Sequence, residues 1–300
     1  MRNRIPAGFD PVFALDVALP LAQSAYDVMQ TSGVPAHLPT GYRQTGIIET
    51  RAEMLRELRA LSGSLHARML STMVKDSNVF GLVGNNVDSH PAVKIGFVSF
   101  RGTQTAVDWK HDLDGLYEPY GFVAGAGDVH QGFFTVYKAL RDSVNAELAT
   151  ACQGCDRLLV TGHSLGAALA LLAAPDITKN ILPGRTPELL TFAGPRVGLL
   201  RFYRFFNNLI ATCYRVVASG DIVPDVPLFV PPFFTYKHVG EEEKVDGGQE
   251  DPIEAHSLTL SNIPGLQKRQ PRACLPDSAR ARVSDYGTET PGKFAVDVDS

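Results

Sequence analysis

Residues 158–174 read Leu158-Leu159-Val160-Thr161-Gly162-His163-Ser164-Leu165-Gly166-Ala167-Ala168-Leu169-Ala170-Leu171-Leu172-Ala173-Ala174. Leu158 to Thr161 is a short apolar run of the kind shown by a strand buried on both faces. The block after Ser164 is built from the strongest helix formers and is expected to stop at Pro175. Between the two, Gly162 to Gly166 fits G-x-S-x-G, whose glycines let a strand turn sharply into a helix and lift the serine above the sheet edge. In a chain with 27 glycines the pattern alone is weak; the strand before it and the helix after it give it weight. The serine would also stand at a helix N-terminus, where partial positive charge favours a developing anion. His163, one position away on a tight turn, cannot reach back to Ser164 and is read as structural.

Working outward, Phe133, Tyr137, Leu140, Val144 and Leu148 share one helical face upstream of this unit. Before them Val79 to Val83 and Val93 to Phe100, joined by a polar turn from Asn85 to Pro91, predict an antiparallel hairpin. Helices are expected from Ala14 to Met29, interrupted by Pro20, and from Ile47 to Met69, where Leu55, Leu58, Leu65 and Met69 repeat. Downstream, strand Leu189 to Phe192, helix Leu199 to Ala211 and strand Tyr214 to Ala218 continue the alternation. Alternating strands and helices predict a single α/β domain with a mostly parallel sheet and helices on both faces. The last stretch, from about residue 265 to 300, is rich in Pro, Arg and small polar residues and is expected to be a peripheral tail.

A serine nucleophile needs a base, and the base needs an orienting carboxylate; in folds with this elbow they follow in the order Ser, Asp/Glu, His. Asp221, in Ser219-Gly220-Asp221-Ile222-Val223-Pro224, falls just past a strand's C-terminal end, where open α/β sheets place their sites. Of the histidines, only His238 and His256 follow it. His238 lies within the alternating segment Thr235 to Val239 and reads as a strand residue facing solvent or as a cross-strand partner. His256, preceded by a polar acidic loop and followed by Ser257-Leu258-Thr259-Leu260, is placed on a loop that can swing over the sheet edge and is favoured as the base. Phe100-Arg101-Gly102-Thr103 ends the hairpin in a turn whose N–H groups can face an oxyanion, so Thr103 and Leu165 are the candidate donors.

These pieces, with Trp109, Asp112-Leu113, Val129-His130-Gln131-Gly132-Phe133, Thr191 to Gly198 and Arg215-Val216-Val217, span about Tyr26 to His256, and the sequence resembles the fungal-type class 3 lipase family. The resemblance implies an α/β-hydrolase fold with a short lid, a Ser164-Asp221-His256 triad, no metal or cofactor, and acylglycerols or related lipophilic esters as substrates, met in some cases at an oil–water interface. Non-lipase esterases, such as a phospholipase or feruloyl esterase, and a silent lipid-binding protein are the alternatives on the same fold. The family's secretion leader and disulfide set are not evident. The lid would fall on Val107, Trp109 and Leu113; its charged neighbours make it polar, so only modest interfacial activation is expected. In Ala193 to Gly198, Gly194 and Pro195 are read as ending a strand and Arg196 as pairing with a carboxylate.

The bulk numbers agree with such a protein. Apolar residues make up 44% and charged residues 20% of the chain, with a formal charge of −4, so nothing calls for nucleic acid. Pro6, Asp10, Pro11 and Asp16 break up the start, so no Sec leader is expected; Leu165 to Ala174, read as the longest apolar stretch, is far short of the roughly 18 residues a membrane span needs, so no stable membrane insertion is expected; the cytoplasm is the default location, with export by another route open. Cys152 and Cys155 form a lone C-x-x-C without a partner pair, so free thiols are expected. Glu241-Glu242-Glu243 reads as a solvated turn. Tyr117, Tyr120, Phe122, Val226, Leu228, Phe229, Phe233 and Phe234 border these loops as candidate walls for an acyl chain.

Overall fold

The computed structural model describes residues 8–31, 33–35, 37–51, 53, 56, 77–89, 92–103, 116–230 and 234–270. At its centre is a seven-stranded sheet in the order β1-β2-β3-β6-β7-β8-β11. Its strands are β1 (Arg43–Glu49), β2 (Val79–Asn85), β3 (Ile95–Phe100), β6 (Arg157–His163), β7 (Glu188–Phe192), β8 (Cys213–Ala218) and β11 (Glu241–Val245). β1 to β3 are antiparallel, whereas β3, β6, β7, β8 and β11 run parallel. Two small ribbons, β4 (Tyr117–Pro119) with β5 (Asp128–His130) and β9 (Phe229–Val230) with β10 (Phe234–Thr235), lie outside this sheet.

Helices cover both faces. On one side pack α2 (Gln131–Ala151) and α3 (Leu165–Asp176), against Val98, Leu158 and Val160. On the other lie α1 (Pro11–Gln30) and α6 (Ile263–Arg269), against Phe97, Leu159 and Val216. Neighbouring strand residues thus face opposite cores, as the period of two requires, and this explains why the central strands read as unbroken apolar runs. The predicted hairpin corresponds to β2 and β3, the predicted helix before β8 is α4 (Leu200–Leu209), and the predicted face of α2 is buried at all five positions.

Four expectations change. Ile47 and Ile48 lie in β1 rather than a helix, because β-branched residues pair there with β2 and Ile48 is fully buried; Leu55, Leu58, Leu65 and Met69 are outside the described residues. Pro175 does not end its helix but sits inside the last turn of α3, which continues with wider i+5 bonding through Ile177–Ile181. Glu241 to Glu243 form edge strand β11 instead of a turn: parallel pairing with β8 is joined by Arg215 to Glu242 at 3.5 Å and Arg269 to Glu243 at 2.8 Å. The expected tail begins later, since α6 buries Leu266 in the core; residues 271–300 are outside the described residues.

Pro11–Gln30 is long and apolar enough to cross a membrane by composition, more so than the Leu165 to Ala174 run, yet over half of it is buried against the sheet. Over Ala14–Ala18 its bonding widens, and Leu19 N–H reaches the Ala14 carbonyl. That turn accommodates Pro20, which has no N–H to give.

The α2–α3 contact holds a buried charge. Asp176, fully buried, accepts two bonds from Arg141 at 2.7 and 3.0 Å, one from Tyr137 Oη at 2.9 Å and one from Asn180 at 2.6 Å. Asp176→Ala leaves the phenol and guanidinium without their acceptor and is expected to cost about 3 to 5 kcal/mol. Urea unfolding checks this. A midpoint unchanged from the unsubstituted protein would show that the cluster contributes nothing.

Candidate active site

The turn after β6 has the strained geometry its sequence suggests. Ser164 has φ 59° and ψ −124°, a region L-residues rarely occupy, and its N–H donates to the Phe192 carbonyl at 3.0 Å. The flanking glycines are required by crowding: a methyl group on Gly162 or Gly166 would run into the Phe100 carbonyl, at 2.9 Å for Gly162 and closer for Gly166. Ser164 is fully buried at the start of α3, and helices leave their first N–H groups, here including that of Leu165, without intrahelical acceptors.

The carboxylate and imidazole meet from the next strand along. Asp221 follows β8 in a turn closed by its N–H to the Ala218 carbonyl at 3.2 Å, with Gly220 at φ 86°. One carboxylate oxygen accepts the Val223 N–H at 2.9 Å, and both lie 3.0 Å from His256 Nδ1. His256 was expected on a loop; it is the last residue of the short helix α5 (Pro252–His256). Asp251 caps that helix by accepting the N–H groups of Ile253 and Glu254 at 2.8 and 3.1 Å, with Pro252 in its first turn. With Nδ1 donating to Asp221, His256 presents Nε2 as a lone pair. That atom and Ser164 Oγ are both buried and without a hydrogen bond among the described residues.

Arg101 fixes the turn after β3. Nearly fully buried, it donates to the carbonyls of Val79 at 2.6 Å and Gly102 at 2.9 Å and lies 4.6 Å over the Phe80 ring. A methyl group on Gly102 would approach Ser164 Cβ to 3.0 Å, so this turn lies directly against the serine, and Thr103 beside it is buried.

His238 is not the solvent-facing strand residue that one reading allowed. Its Nε2–H donates to the Pro224 carbonyl at 2.6 Å, beside the Asp221 turn. Arg196 does find its carboxylate, Asp225 at 3.5 Å, and also holds the Pro227 carbonyl at 3.0 Å. Of the expected acyl-chain walls, Tyr120 is a core residue bonded to the Leu172 carbonyl at 2.7 Å, and Phe122 packs on the same core, while Tyr117 and Leu228 are exposed. Val107, Trp109, Leu113 and Phe233 lie outside the described residues. The three described cysteines, Cys152, Cys155 and Cys213, are free and buried, and no metal-holding cluster occurs among the described residues.

Sequence reasoning missed Tyr26, on α1, whose hydroxyl lies 2.8 Å from His163 Nδ1; the available signal was a phenol on the helix's apolar stripe. Burial lowers the pKa of His163 to about 3, helped by neighbouring His256, and burial with nearby Arg215 lowers that of His238 to about 3. Both values lie below the ordinary 6.5, so on acidification the unfolded chain takes up these protons first. Stability is then complete above about pH 6.5 and falls toward pH 3, by roughly 1.4 kcal/mol per pH unit for each group. The melting temperature is expected to drop steeply between pH 6.5 and 5, and His238→Asn to flatten that slope. A melting temperature constant over this range would contradict the assignment.

A serine on a strand-to-helix elbow at the C-terminal edge of a parallel sheet, with a carboxylate and an imidazole arriving after a later strand, defines an α/β-hydrolase fold. Residues 97–230 match the family model described as lipase (class 3). Over 225 residues the chain is 30% identical to a chloroplastic phospholipase A1 of Arabidopsis thaliana, covering 67% of this chain and 47% of that protein. It is 33% identical over 171 residues to a secreted mono- and diacylglycerol lipase of Fusarium solani, covering 56% of this chain and 49% of the other. The solved structure of a mutant form of MDLA from Penicillium cyclopium shares the fold, with a TM-score of 0.59 at 21% identity over 80% of this chain and 82% of that one. The chain belongs to the class 3 lipase family. It spans about half the length of the curated relatives it matches.

Proposed function

We propose that this protein hydrolyses lipophilic carboxyl esters, acylglycerols foremost, by acyl transfer through Ser164, His256 and Asp221. The observation that carries this reading is the buried imidazole of His256 held 3.0 Å from both Asp221 oxygens on the sheet edge where Ser164 occupies its strained turn. In the first step Ser164 Oγ bonds to the ester carbonyl carbon while its proton passes to His256 Nε2. The carbonyl oxygen becomes an oxyanion, for which the N–H groups of Leu165 and Thr103 are the proposed donors. Collapse breaks the ester C–O bond, and His256 returns the proton to the leaving alcohol. Water then attacks the acyl-enzyme, giving its proton to His256, and the acid departs as Ser164 regains a proton. Asp221 fixes the tautomer and stabilises the imidazolium without taking the proton itself.

Several of the relatives are phospholipases A1, which supports a second reading in which the ester is that of a glycerophospholipid. Rates on p-nitrophenyl esters of graded chain length, triacylglycerols, diacylglycerols and a diacyl phosphatidylcholine separate the two. Preference for acylglycerols is expected. Faster release of fatty acid from the phospholipid would favour the second reading, and no hydrolysis of any of these esters would remove both.

A further inference from the structure

We propose that Tyr26 and His163 are positioning residues that tie the oxyanion turn, the serine elbow and the base into one hydrogen-bonded unit, an inference resting on the hydrolase reading above. The bonds run in one direction. His163 Nε2 lies 2.8 Å from the backbone carbonyl of His256, and a carbonyl can only accept, so Nε2 must carry the proton. In a neutral ring Nδ1 is then a lone pair, so the Tyr26 hydroxyl, 2.8 Å away, must be the donor. With its proton committed, the hydroxyl oxygen is left to accept, and it lies against the Gly102 backbone, whose N–H acts against the rise that burial imposes on the phenol's pKa. The donors therefore run from Tyr26 to His163 and from His163 to the main chain of His256, with the Gly102 turn packed on the Tyr26 hydroxyl.

The electrostatics agree with this order. Burial keeps His163 neutral with a pKa near 3, and burial likewise raises that of the Tyr26 phenol, so neither group changes charge in the pH range where an imidazole base works. Neutrality matters because the rings of His163 and His256 lie 4.7 Å apart, and a cation on His163 would oppose formation of the His256 imidazolium. Gly102 fits the same scheme: a side chain there would overlap the Tyr26 hydroxyl and approach the His163 carbonyl to 2.9 Å. The parts joined come from four separated stretches of chain: α1, the turn after β3, the elbow after β6, and α5. Tyr26 lies outside the matched residues 97–230, so α1 supplies a support which that segment lacks on its own. Misplacement of a base by about 1 Å can cost on the order of 100-fold in rate, so a bond acting on the backbone of His256 has leverage on kcat.

Tyr26→Phe removes one hydroxyl and keeps the ring. Its kcat on p-nitrophenyl butyrate is expected to fall roughly tenfold or more, with KM within about twofold and the melting temperature within a few degrees. His163→Gln, whose amide can still donate to the His256 carbonyl, is expected to keep more activity than His163→Leu. Nitrogen NMR of histidine-labelled protein supplies an arm independent of turnover: His163 should show the Nε2–H tautomer and not titrate above about pH 5. In Tyr26→Phe the tautomer should persist, because the His256 carbonyl still requires Nε2–H, while the Nδ1 resonance of His163, now without its donor, and the signals of His256 should shift. Should the unsubstituted protein hydrolyse no ester while these NMR results hold, the hydrolase reading falls and the bonded unit stands. Unchanged kcat in Tyr26→Phe of an active enzyme, a loss confined to melting temperature, or an Nδ1–H tautomer at His163 would overturn the proposal.

Discussion

Ser164→Ala is expected to lower kcat by about 10⁵- to 10⁶-fold and leave the protein as stable as before. The two halves of this expectation have separate causes. Activity is lost because Oγ is the atom proposed to attack the ester. Stability is retained because Oγ makes no hydrogen bond among the described residues and alanine suffers the same backbone strain at φ 59° as serine. Ser164→Gly sharpens the point: glycine occupies this region without a steric cost, so the glycine variant should be inactive and more stable by about 1 kcal/mol. Kinetics on a soluble ester together with thermal melts check both variants. Turnover near that of the unsubstituted protein in Ser164→Ala would defeat the assignment of the nucleophile.

The second large effect is expected at His256. His256→Ala removes the proposed acceptor of the serine proton and should cost nearly as much in kcat as loss of Ser164, since residues that act as one unit are not additive. A double variant at both positions should be no worse than either single one. His238→Ala is the contrast: it touches the Asp221 turn only through the Pro224 carbonyl, and less than a tenfold loss is expected. The reverse ranking of the two histidines would reassign the base while leaving the fold untouched.

Strong local patterns in the chain carried much of the fold. The short, nearly continuous apolar runs of β2 and β3 and the single apolar face of α2 were legible because each is a short-range pattern. The Asp251-Pro252 cap of α5 was equally local, though its five residues are too few for a periodic signal and were read as loop. What escaped was decided at a distance. Three consecutive glutamates have poor strand propensity, and only pairing with β8 and the two arginines makes them β11. Pro175 was read as a stop because a proline usually is one, but the wider turn that follows absorbs it.

The candidate site divides along the same line. G-x-S-x-G states its own geometry, and the chain order of Ser164, Asp221 and His256 restricted the partners to very few residues. The contacts around His163 could not be read this way. Tyr26 precedes it by 137 residues, and nothing in the spacing of a helix on the far face of the sheet says that one phenol turns inward to an imidazole. Likewise Tyr120 and Phe122, adjacent in sequence to the expected lid, looked available to a substrate; tertiary packing commits them to the core.

An activated serine reacts with electrophiles that an ordinary hydroxyl leaves alone. Labelling with a fluorophosphonate probe, followed by mass spectrometry of the peptides, detects that activation at Ser164 without knowledge of the natural ester. One adduct is expected, on Ser164, formed rapidly in the unsubstituted protein and greatly slowed in His256→Ala. Absence of an adduct on Ser164 in folded protein, or labelling there at the same rate without His256, would contradict it.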